Sequence, residues 1–120
     1  MLIHGFIVHG YTWCWLLPEL SQHFRCYVVD LSGFGDSQWS AKTDFSITAQ
    51  ARCLTTLFDQ LKLGSYSILA QDTGASIARI IAANQGHAVS SLACINTEIP
   101  STGRRSFRRF RCWQSFPVPT

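Results

Sequence analysis

One segment of the sequence places a carboxylate between a strand pattern and a helix pattern. The apolar run that ends at Ala70 is followed two residues later by Asp72, and a helical pattern begins beyond Gly74. This layout is typical of a nucleophile elbow, in which the nucleophile occupies a strained turn between strand and helix. Small residues are needed two positions before and after it because the two backbone arms nearly touch. Asp tolerates the left-handed conformation better than most residues. Asp72 is therefore a candidate nucleophile, and its carboxylate indicates chemistry different from that of a serine elbow.

Two further motifs precede this segment in the chain. His4 and Gly5 follow an apolar strand end, and residues 28–37 form a strand pattern that ends in a glycine-rich turn. In order and spacing the three motifs resemble the α/β-hydrolase fold, and most closely its aspartate-nucleophile branch, which includes epoxide hydrolases and dehalogenases. The resemblance covers residues 1–100. The alternative for Asp72 taken alone is an ordinary turn whose side chain caps the following helix.

The resemblance implies hydrolysis in two steps, without a cofactor, of a small-molecule substrate. An ionised Asp72 attacks a saturated carbon, which opens an epoxide or expels a halide and leaves an ester on the enzyme. A water activated by a histidine then hydrolyses that ester. On matching positions the backbone N–H groups of Phe6 and Thr73 are the donors of the site. The residues that the resemblance assigns to shaping the site are His4, Gly5, Gln71 and Gly74.

Two positions depart from the family pattern. The family commonly has Pro after the His-Gly-x sequence, where this chain has Ile7, and the exchange predicts a looser loop. Haloalkane dehalogenases typically place Trp directly after the nucleophile and fluoroacetate-type enzymes place Arg, but here the residue is Thr73. This favours an epoxide-hydrolase-like hydrolase, with a dehalogenase-like hydrolase as the alternative. Trp13 and Trp15 could line the substrate pocket, although core packing is expected for at least one of them.

A general base is the element of this chemistry that the sequence does not supply. In the family the histidine lies far downstream, whereas His87 follows the elbow after a helix of about twelve residues, which carries it about 18 Å away. His4 and His9 lie nearer by topology and are weak candidates for the base. Asp30 and Asp36 are expected to hold the second motif together and not to react. We therefore expect this chain by itself to be inactive.

Strand and helix patterns alternate along the chain. The predicted strands are residues 1–3, 26–30, 66–70 and 92–95, and the predicted helices are residues 11–23, 46–61 and 73–84. Such alternation predicts an α/β fold with a doubly wound, mostly parallel sheet. On the family fold these strands are its third to sixth, in the spatial order fourth, third, fifth, sixth. The second and last predicted strands would then be bare apolar edges, which invite pairing.

Local signals mark the ends and faces of the predicted helices. Ser46 is a natural N-cap, Pro18 is expected to kink the first helix, and Gly64 and Gly86 are expected to end the second and third. The residues predicted to lie on the apolar side of the first helix are Trp13, Leu16, Leu17 and Leu20. Those predicted for the second are Ile47, Ala51, Leu54, Phe58 and Leu61.

Composition is that of a soluble globular domain. The 120 residues are 47% hydrophobic and can bury one core, and no apolar run approaches the ~20 residues that span a bilayer. The N-terminus lacks the pattern of a signal peptide. The five cysteines are scattered, which favours buried thiols in a reducing cytoplasm. The four histidines show no ligand spacing, so no metal or other cofactor is predicted.

The last twenty residues differ from the rest in charge and pattern. Residues 1–100 carry five basic and seven acidic groups, a formal charge of −2, whereas residues 101–120 carry five arginines and no acid. An out-of-frame or otherwise truncated terminus is the favoured interpretation, so residues 1–100 are treated as a partial domain and 101–120 as a non-native or disordered tail. The alternative for the tail is a basic, aromatic segment that binds RNA or an anionic membrane. The alternative for the chain is a catalytically dead remnant or interaction module with a basic tail. Nucleic-acid and membrane partners are not expected, and the sequence does not predict an oligomeric state.

Overall fold

Four parallel strands with intervening helices form the part of the chain that the structure describes. The computed structural model describes residues 1–97, so the predictions for the tail at 101–120 lie outside the described residues. The strands are β1 (Leu2–Ile3), β2 (Val28–Val29), β3 (Tyr66–Gln71) and β4 (Val89–Ile95). The α-helices are α1 (Leu17–Leu20), α2 (Ile47–Gln60) and α3 (Thr73–Asn84), with a 3₁₀ helix at Gly10–Trp13. The predicted α/β fold is confirmed.

The order of the strands in the sheet is the predicted one. The sheet runs β2-β1-β3-β4 and every pair is parallel. Ile3 of β1 pairs with Val29 on one side and Ala70 on the other, so these three strands end at the same level. Because parallel strands bring their carboxyl ends to one edge of the sheet, the loops after β1, β2 and β3 meet there. The three motifs of the sequence are therefore neighbours in space.

Helix α2 agrees with its prediction except at its ends. The Ser46 side chain accepts a hydrogen bond from the Ala49 N–H, as an N-cap does. The middle of the predicted stripe is buried, whereas Ile47 and Leu61 are each 42% exposed. The helix ends at Gln60, four residues before Gly64, and Lys62 just beyond it has a φ of 52°. The buried residues of the stripe are Ala51, Leu54 and Phe58.

The prediction of one helix over residues 11–23 is wrong. The chain forms two short elements there, the 3₁₀ helix and then the four-residue helix α1. The 3₁₀ helix is capped by His9, whose ring accepts the Tyr11 N–H. Pro18 stands in the first turn of α1 and does not kink a longer helix, because Pro lacks only an N–H that is unused there. On the predicted apolar side only Trp13 is buried, while Leu16 is 37% exposed.

The other elements differ from their predictions mainly in length. Helix α3 has the predicted bounds, but Gly86 is not among the residues with positive φ, and Gln85 is the C-cap. Strand β2 has two residues where residues 26–30 are predicted, and Val28 is 37% exposed. Strand β4 begins three residues before its predicted start. Within residues 1–97, β2 and β4 are the two outer strands of the sheet.

The core lies between the sheet and the pair of long helices. Helices α2 and α3 pack against each other, and Phe58 of α2 meets Tyr66 of β3 edge to face, with ring centroids 5.0 Å apart. Ile3, Ile68 and Ile81 are almost fully buried in the same cluster. No helix within residues 1–97 is both long and apolar enough to cross a membrane.

Candidate active site

Asp72 occupies a strained turn between β3 and α3, as the elbow pattern predicts. Its φ is 51° and its ψ is −127°, a conformation that is costly for a residue with a Cβ atom. The turn is fixed on both sides, because Asp72 N–H donates to the Ile95 carbonyl at 3.0 Å and Ala75 N–H donates to the Asp72 carbonyl at 3.0 Å. The sheet and helix therefore hold Asp72 in this conformation.

The carboxylate of Asp72 faces the loop after β1 and does not cap α3. No hydrogen bond joins the side chain to the first turn of the helix, although Asp72 stands at the N-cap position. Instead Oδ2 accepts the backbone N–H of Phe6 at 3.1 Å. The carboxylate is half-buried at this position. Of the two interpretations of Asp72, the geometry favours the elbow over the ordinary capping turn.

Two glycines make the close packing around Asp72 possible. A Cβ atom at Gly5 would lie 2.7 Å from Asp72 Cβ and 2.9 Å from Oδ2. A Cβ atom at Gly74 would collide with the His4 carbonyl oxygen and lie 2.8 Å from the Ile3 carbonyl oxygen. Gly74, two residues after the candidate nucleophile, must therefore be small because the end of β1 packs on the first turn of α3.

Ile7 gives the loop after β1 a path that Pro could not follow. Its φ is 67°, whereas the ring of Pro fixes φ near −65°. A positive φ is an outlier for a β-branched residue, and the side chain is 82% exposed, so it gains little packing in return. The departure from the family pattern at this position therefore comes with a different loop conformation.

His4 is fully buried, and both of its ring nitrogens are occupied. Nε2 accepts the Leu31 N–H at 3.0 Å, and Nδ1 lies 2.7 Å from the Gly5 carbonyl oxygen. An N–H can only donate and a carbonyl can only accept, so the ring is neutral with its proton on Nδ1. This ring ties the loop after β1 to the loop after β2. It has no nitrogen left to take a proton from water, so the geometry argues against His4 as the base.

The remaining histidines lie away from Asp72 or are otherwise engaged. The His9 ring is exposed, accepts the Tyr11 N–H through Nδ1 at 3.4 Å, and packs beside the Tyr11 ring. His87 is exposed beyond the far end of α3. Within residues 1–97 no histidine forms a hydrogen bond with Asp72. The histidines of this part of the chain are therefore not hydrogen-bonded to the candidate nucleophile.

Asp30 holds together the loop that follows β2. Its two carboxylate oxygens accept the N–H groups of Gly10 at 2.6 Å and Asp36 at 3.0 Å, and its carbonyl accepts the Ser37 hydroxyl at 2.6 Å. Burial acts to raise the pKa of Asp30, but the N–H groups of Gly10 and Asp36, together with electrostatic contributions from His4 and His9, lower the pKa overall. A side chain at Gly35 would collide with this carboxylate. Asp36 contributes its backbone, and its side chain is exposed.

An apolar groove of about 240 Å³ lies beside the candidate nucleophile. Thr73, which follows Asp72 in the chain, lines this groove, and so does Phe6, whose N–H binds the Asp72 carboxylate. The Phe34 ring packs edge to face on the Phe6 ring, with centroids 5.8 Å apart. Neither Trp13 nor Trp15 reaches this groove, because Trp13 is buried and Trp15 is 92% exposed. Other residues of the groove wall are Leu31, Phe45, Ile47 and Ile77.

Sequence reasoning did not single out Gln50, which is buried between α2 and the loop after β2. Its Oε1 accepts the Ser32 N–H at 3.1 Å, and its Nε2 donates to the Ser32 carbonyl at 3.0 Å. A signal was present, because Gln50 falls at the helical spacing of the apolar stripe, three residues after Ile47 and four before Leu54. A polar residue on such a stripe needs a buried partner. Within residues 1–97 no cluster of three or more His, Cys, Asp or Glu side chains could hold a metal ion.

Comparison with known proteins places these features in a family. The family model described as alpha/beta hydrolase fold matches residues 1–110. A haloalkane dehalogenase of Mycobacterium marinum is 27% identical over 118 residues, covering 97% of this chain and 40% of the relative. Epoxide hydrolase 3 of Xenopus tropicalis is 28% identical over 102 residues, covering 84% of this chain and 28% of the relative. The chain thus spans less than half the length of these curated relatives.

The solved structures agree with the sequence relatives. The crystal structure of an ancestral haloalkane dehalogenase, AncHLD2, superposes with a TM-score of 0.77 at 29% identity, covering 82% of this chain and 34% of that one.

Proposed function

The chain belongs to the alpha/beta hydrolase fold family, and from that premise we propose that it contributes the nucleophile half of a hydrolase that works through Asp72. The substrate is a small molecule with an electrophilic saturated carbon, and an epoxide is the leading choice. The position and orientation of the Asp72 carboxylate support this proposal most directly. It lies on a strained turn, leaves its helix uncapped, and faces a backbone N–H beside an apolar groove.

In the first step one oxygen of Asp72 forms a bond to the substrate carbon. The ring C–O bond of the epoxide breaks with its electron pair on oxygen, this alkoxide takes a proton from a water molecule, and an ester remains on the enzyme. The Phe6 N–H binds Oδ2 at 3.1 Å, so Oδ1 is the oxygen that we propose for the attack. In the second step a water adds to the ester carbonyl, loses a proton to a base, and the alcohol leaves. The Thr73 and Phe6 N–H groups are the proposed donors to the developing oxyanion.

Dehalogenation is the second candidate, and the relatives favour it. One of them is a haloalkane dehalogenase, and so is the solved structure described above. In that reaction the carbon–halogen bond breaks and the halide leaves. Against it stands Thr73, because its side chain offers neither an indole N–H nor a guanidinium to hold a halide. The same nucleophile serves both reactions, so the role of Asp72 does not depend on which one is correct.

We expect a single reaction and no sustained turnover from the 120-residue chain. General-base assistance is worth about 10²–10⁴-fold, and residues 1–97 place no histidine against Asp72. The test is to incubate the chain with reactive epoxides and alkyl halides, and to measure product release together with intact and peptide mass. The expected result is a covalent adduct on Asp72 without multiple turnover.

Asp72→Asn should abolish the adduct, because the neutral amide is a poor nucleophile while Asn tolerates the same left-handed turn. The matched control is Asp59→Asn, which removes an exposed carboxylate from α2 and should leave adduct formation unchanged. An adduct at another residue, or one that survives Asp72→Asn, would exclude Asp72 as the nucleophile. Sustained turnover would show that a base is present, and His9 would be the first residue to change. A well-folded chain that reacts with neither substrate class would favour the remnant interpretation.

A further inference from the structure

The side-chain amide of Gln50 binds both backbone groups of one residue in the loop after β2. Among residues 1–97 the buried polar side chains are His4 and Gln50, and Gln50 is only 5% exposed. Its amide oxygen and nitrogen bind the N–H and the carbonyl of Ser32 at 3.1 and 3.0 Å. Both backbone groups of Ser32 are therefore satisfied by α2, and the loop is fixed to that helix.

The next contacts lead from this loop to the candidate nucleophile. Leu31, adjacent to Ser32, donates its N–H to His4 Nε2 at 3.0 Å. The same ring donates to the Gly5 carbonyl at 2.7 Å, and the N–H of that same peptide group belongs to Phe6 and binds Asp72 Oδ2 at 3.1 Å.

Aromatic packing runs alongside these hydrogen bonds. The Phe34 ring contacts the His4 ring and the Phe6 ring edge to face, at 5.5 and 5.8 Å. Phe34, Phe6 and Gln50 also line the groove beside the candidate nucleophile. The loop after β2 therefore touches the Phe6 peptide through side chains as well as through the His4 ring.

We propose that Gln50 is a positioning residue, which acts through Ser32, Leu31 and His4 to aim the Phe6 N–H at Asp72. This inference rests on the proposed function, in which that N–H orients the nucleophile. An apolar side chain of the same length would fill the space but leave both backbone groups of Ser32 without their partner. The loop would then be free to move, and the His4 ring would lose the fixed donor that sets its orientation.

The test uses the full chain labelled with ¹⁵N and follows individual amides by NMR. Gln50→Met removes both hydrogen bonds at nearly constant volume, and Gln60→Met makes the same exchange at an exposed position of α2. Each is combined with Asp72→Asn, and the shift of the Phe6 amide resonance caused by Asp72→Asn is measured. We expect this shift to fall to roughly half or less in the Gln50→Met background and to remain in the Gln60→Met background.

Hydrogen exchange separates a positioning role from a merely structural one. Leu31 N–H should exchange about tenfold faster or more in Gln50→Met. Leu69 N–H, which binds the Met1 carbonyl inside the sheet, should exchange as in the wild type. An equal increase at Leu69 would overturn the proposal, because Gln50 would then stabilise the whole fold. An unchanged Phe6 response would overturn it as well.

Gln50→Glu provides a second variant. It keeps the oxygen that accepts the Ser32 N–H but sets a second acceptor oxygen against the Ser32 carbonyl, so a loss of the Phe6 response at least as large as in Gln50→Met is expected. If neither variant folds, the proposal fails, since Gln50 would be needed for the fold itself. These readouts report a hydrogen bond and not a reaction. They therefore remain informative even if Asp72 forms no adduct and the proposed function is wrong.

Discussion

At the scale of single residues, space around Asp72 is as restrictive as chemistry. Gly5 faces the carboxylate and Gly74 faces the end of β1, and neither place has room for a methyl group. Both glycines therefore matter for close approach, since neither is among the positions with positive φ. The left-handed conformation falls instead on Asp72 and Ile7.

Gly74→Ala should destabilise the chain by about 1–3 kcal/mol, because its Cβ would push the first turn of α3 away from the His4 carbonyl. Gly64→Ala is the matched control. Nothing lies within 4 Å of a Cβ atom at Gly64, so that substitution should be neutral or stabilise by about 0.4–1 kcal/mol. Urea denaturation followed by circular dichroism measures both free energies of unfolding. Equal effects of the two substitutions would contradict the close packing at Gly74.

Asp30 makes the stability of the loop after β2 depend on pH. The pKa of its carboxyl is lowered from the ordinary value of 3.8 in the folded chain, because the N–H groups of Gly10 and Asp36, with electrostatic contributions from His4 and His9, outweigh the effect of burial. A lowered folded pKa adds stability above the unfolded pKa, and this contribution is lost as pH falls through the folded pKa.

Asp30→Asn should therefore destabilise the chain most near neutral pH. The difference in free energy of unfolding between wild type and variant should shrink as pH falls below about 4. Denaturant titrations at a series of pH values measure this difference. Asp36→Asn serves as the control, since its side chain is exposed in the same turn and a small effect is expected at every pH. A constant difference for Asp30→Asn would show that its charge is unimportant.

At the scale of elements, α2 connects the core to the candidate site. One side of the helix buries Leu54 and Phe58 against the sheet, and Gln50 on the first turns holds the loop after β2. The start of the helix is fixed by Ser46, whose hydroxyl accepts the Ala49 N–H at 3.2 Å. Fraying at this end would release Gln50 before it disturbed Phe58, which lies two turns further along.

Ser46→Ala should cost about 1 kcal/mol of stability, because the Ala49 N–H would lose its partner at the N-cap. Ser46→Asp should retain most of the stability, since a carboxylate caps equally well and interacts favourably with the helix dipole. Thermal unfolding of the three proteins, compared at one pH, tests the order. Equal loss in both variants would indicate that Ser46 acts through another contact.

At the scale of the whole molecule, the described chain is a parallel sheet whose outer strands are weakly protected. Strand β4 is seven residues long, contains no charged residue or proline, and pairs with β3 on one side within residues 1–97. Ile95 at its end is 47% exposed. Such an edge is a template for pairing with a second chain. The match covers 40% of the length of the Mycobacterium marinum relative.

Ile95→Lys should reduce self-association of the chain, because a charge on an edge strand disfavours strand pairing. Leu61→Lys introduces the same charge at a residue that is 42% exposed but lies after α2, away from the sheet edge. Light scattering at increasing protein concentration compares the two variants with wild type. An equal decrease in both would attribute the effect to net charge, and the edge would lose its special role.

The fold and the candidate nucleophile follow from local patterns, so the sequence determined them. Hydrophobic periodicity places β3 and α3 with bounds within a residue of those observed, and the small residues around Asp72 mark the turn. The strand order followed from the resemblance and is confirmed. Local patterns failed at residues 11–23, where few apolar side chains are buried to stabilise a long helix. They also failed at the end of α2, where Lys62 and not a glycine has a positive φ.

Only the tertiary structure decided how the groups around Asp72 are held. His4 binds a residue 27 positions away and Gln50 one 18 positions away, and no local pattern encodes such partners. The positive φ of Ile7 likewise follows from the path of the loop after β1 and not from the local sequence. These features depend on which backbone groups meet at the carboxyl edge of the sheet. These backbone groups come together only after the strands have paired. A buried polar group then binds whichever partner the fold brings within hydrogen-bond distance.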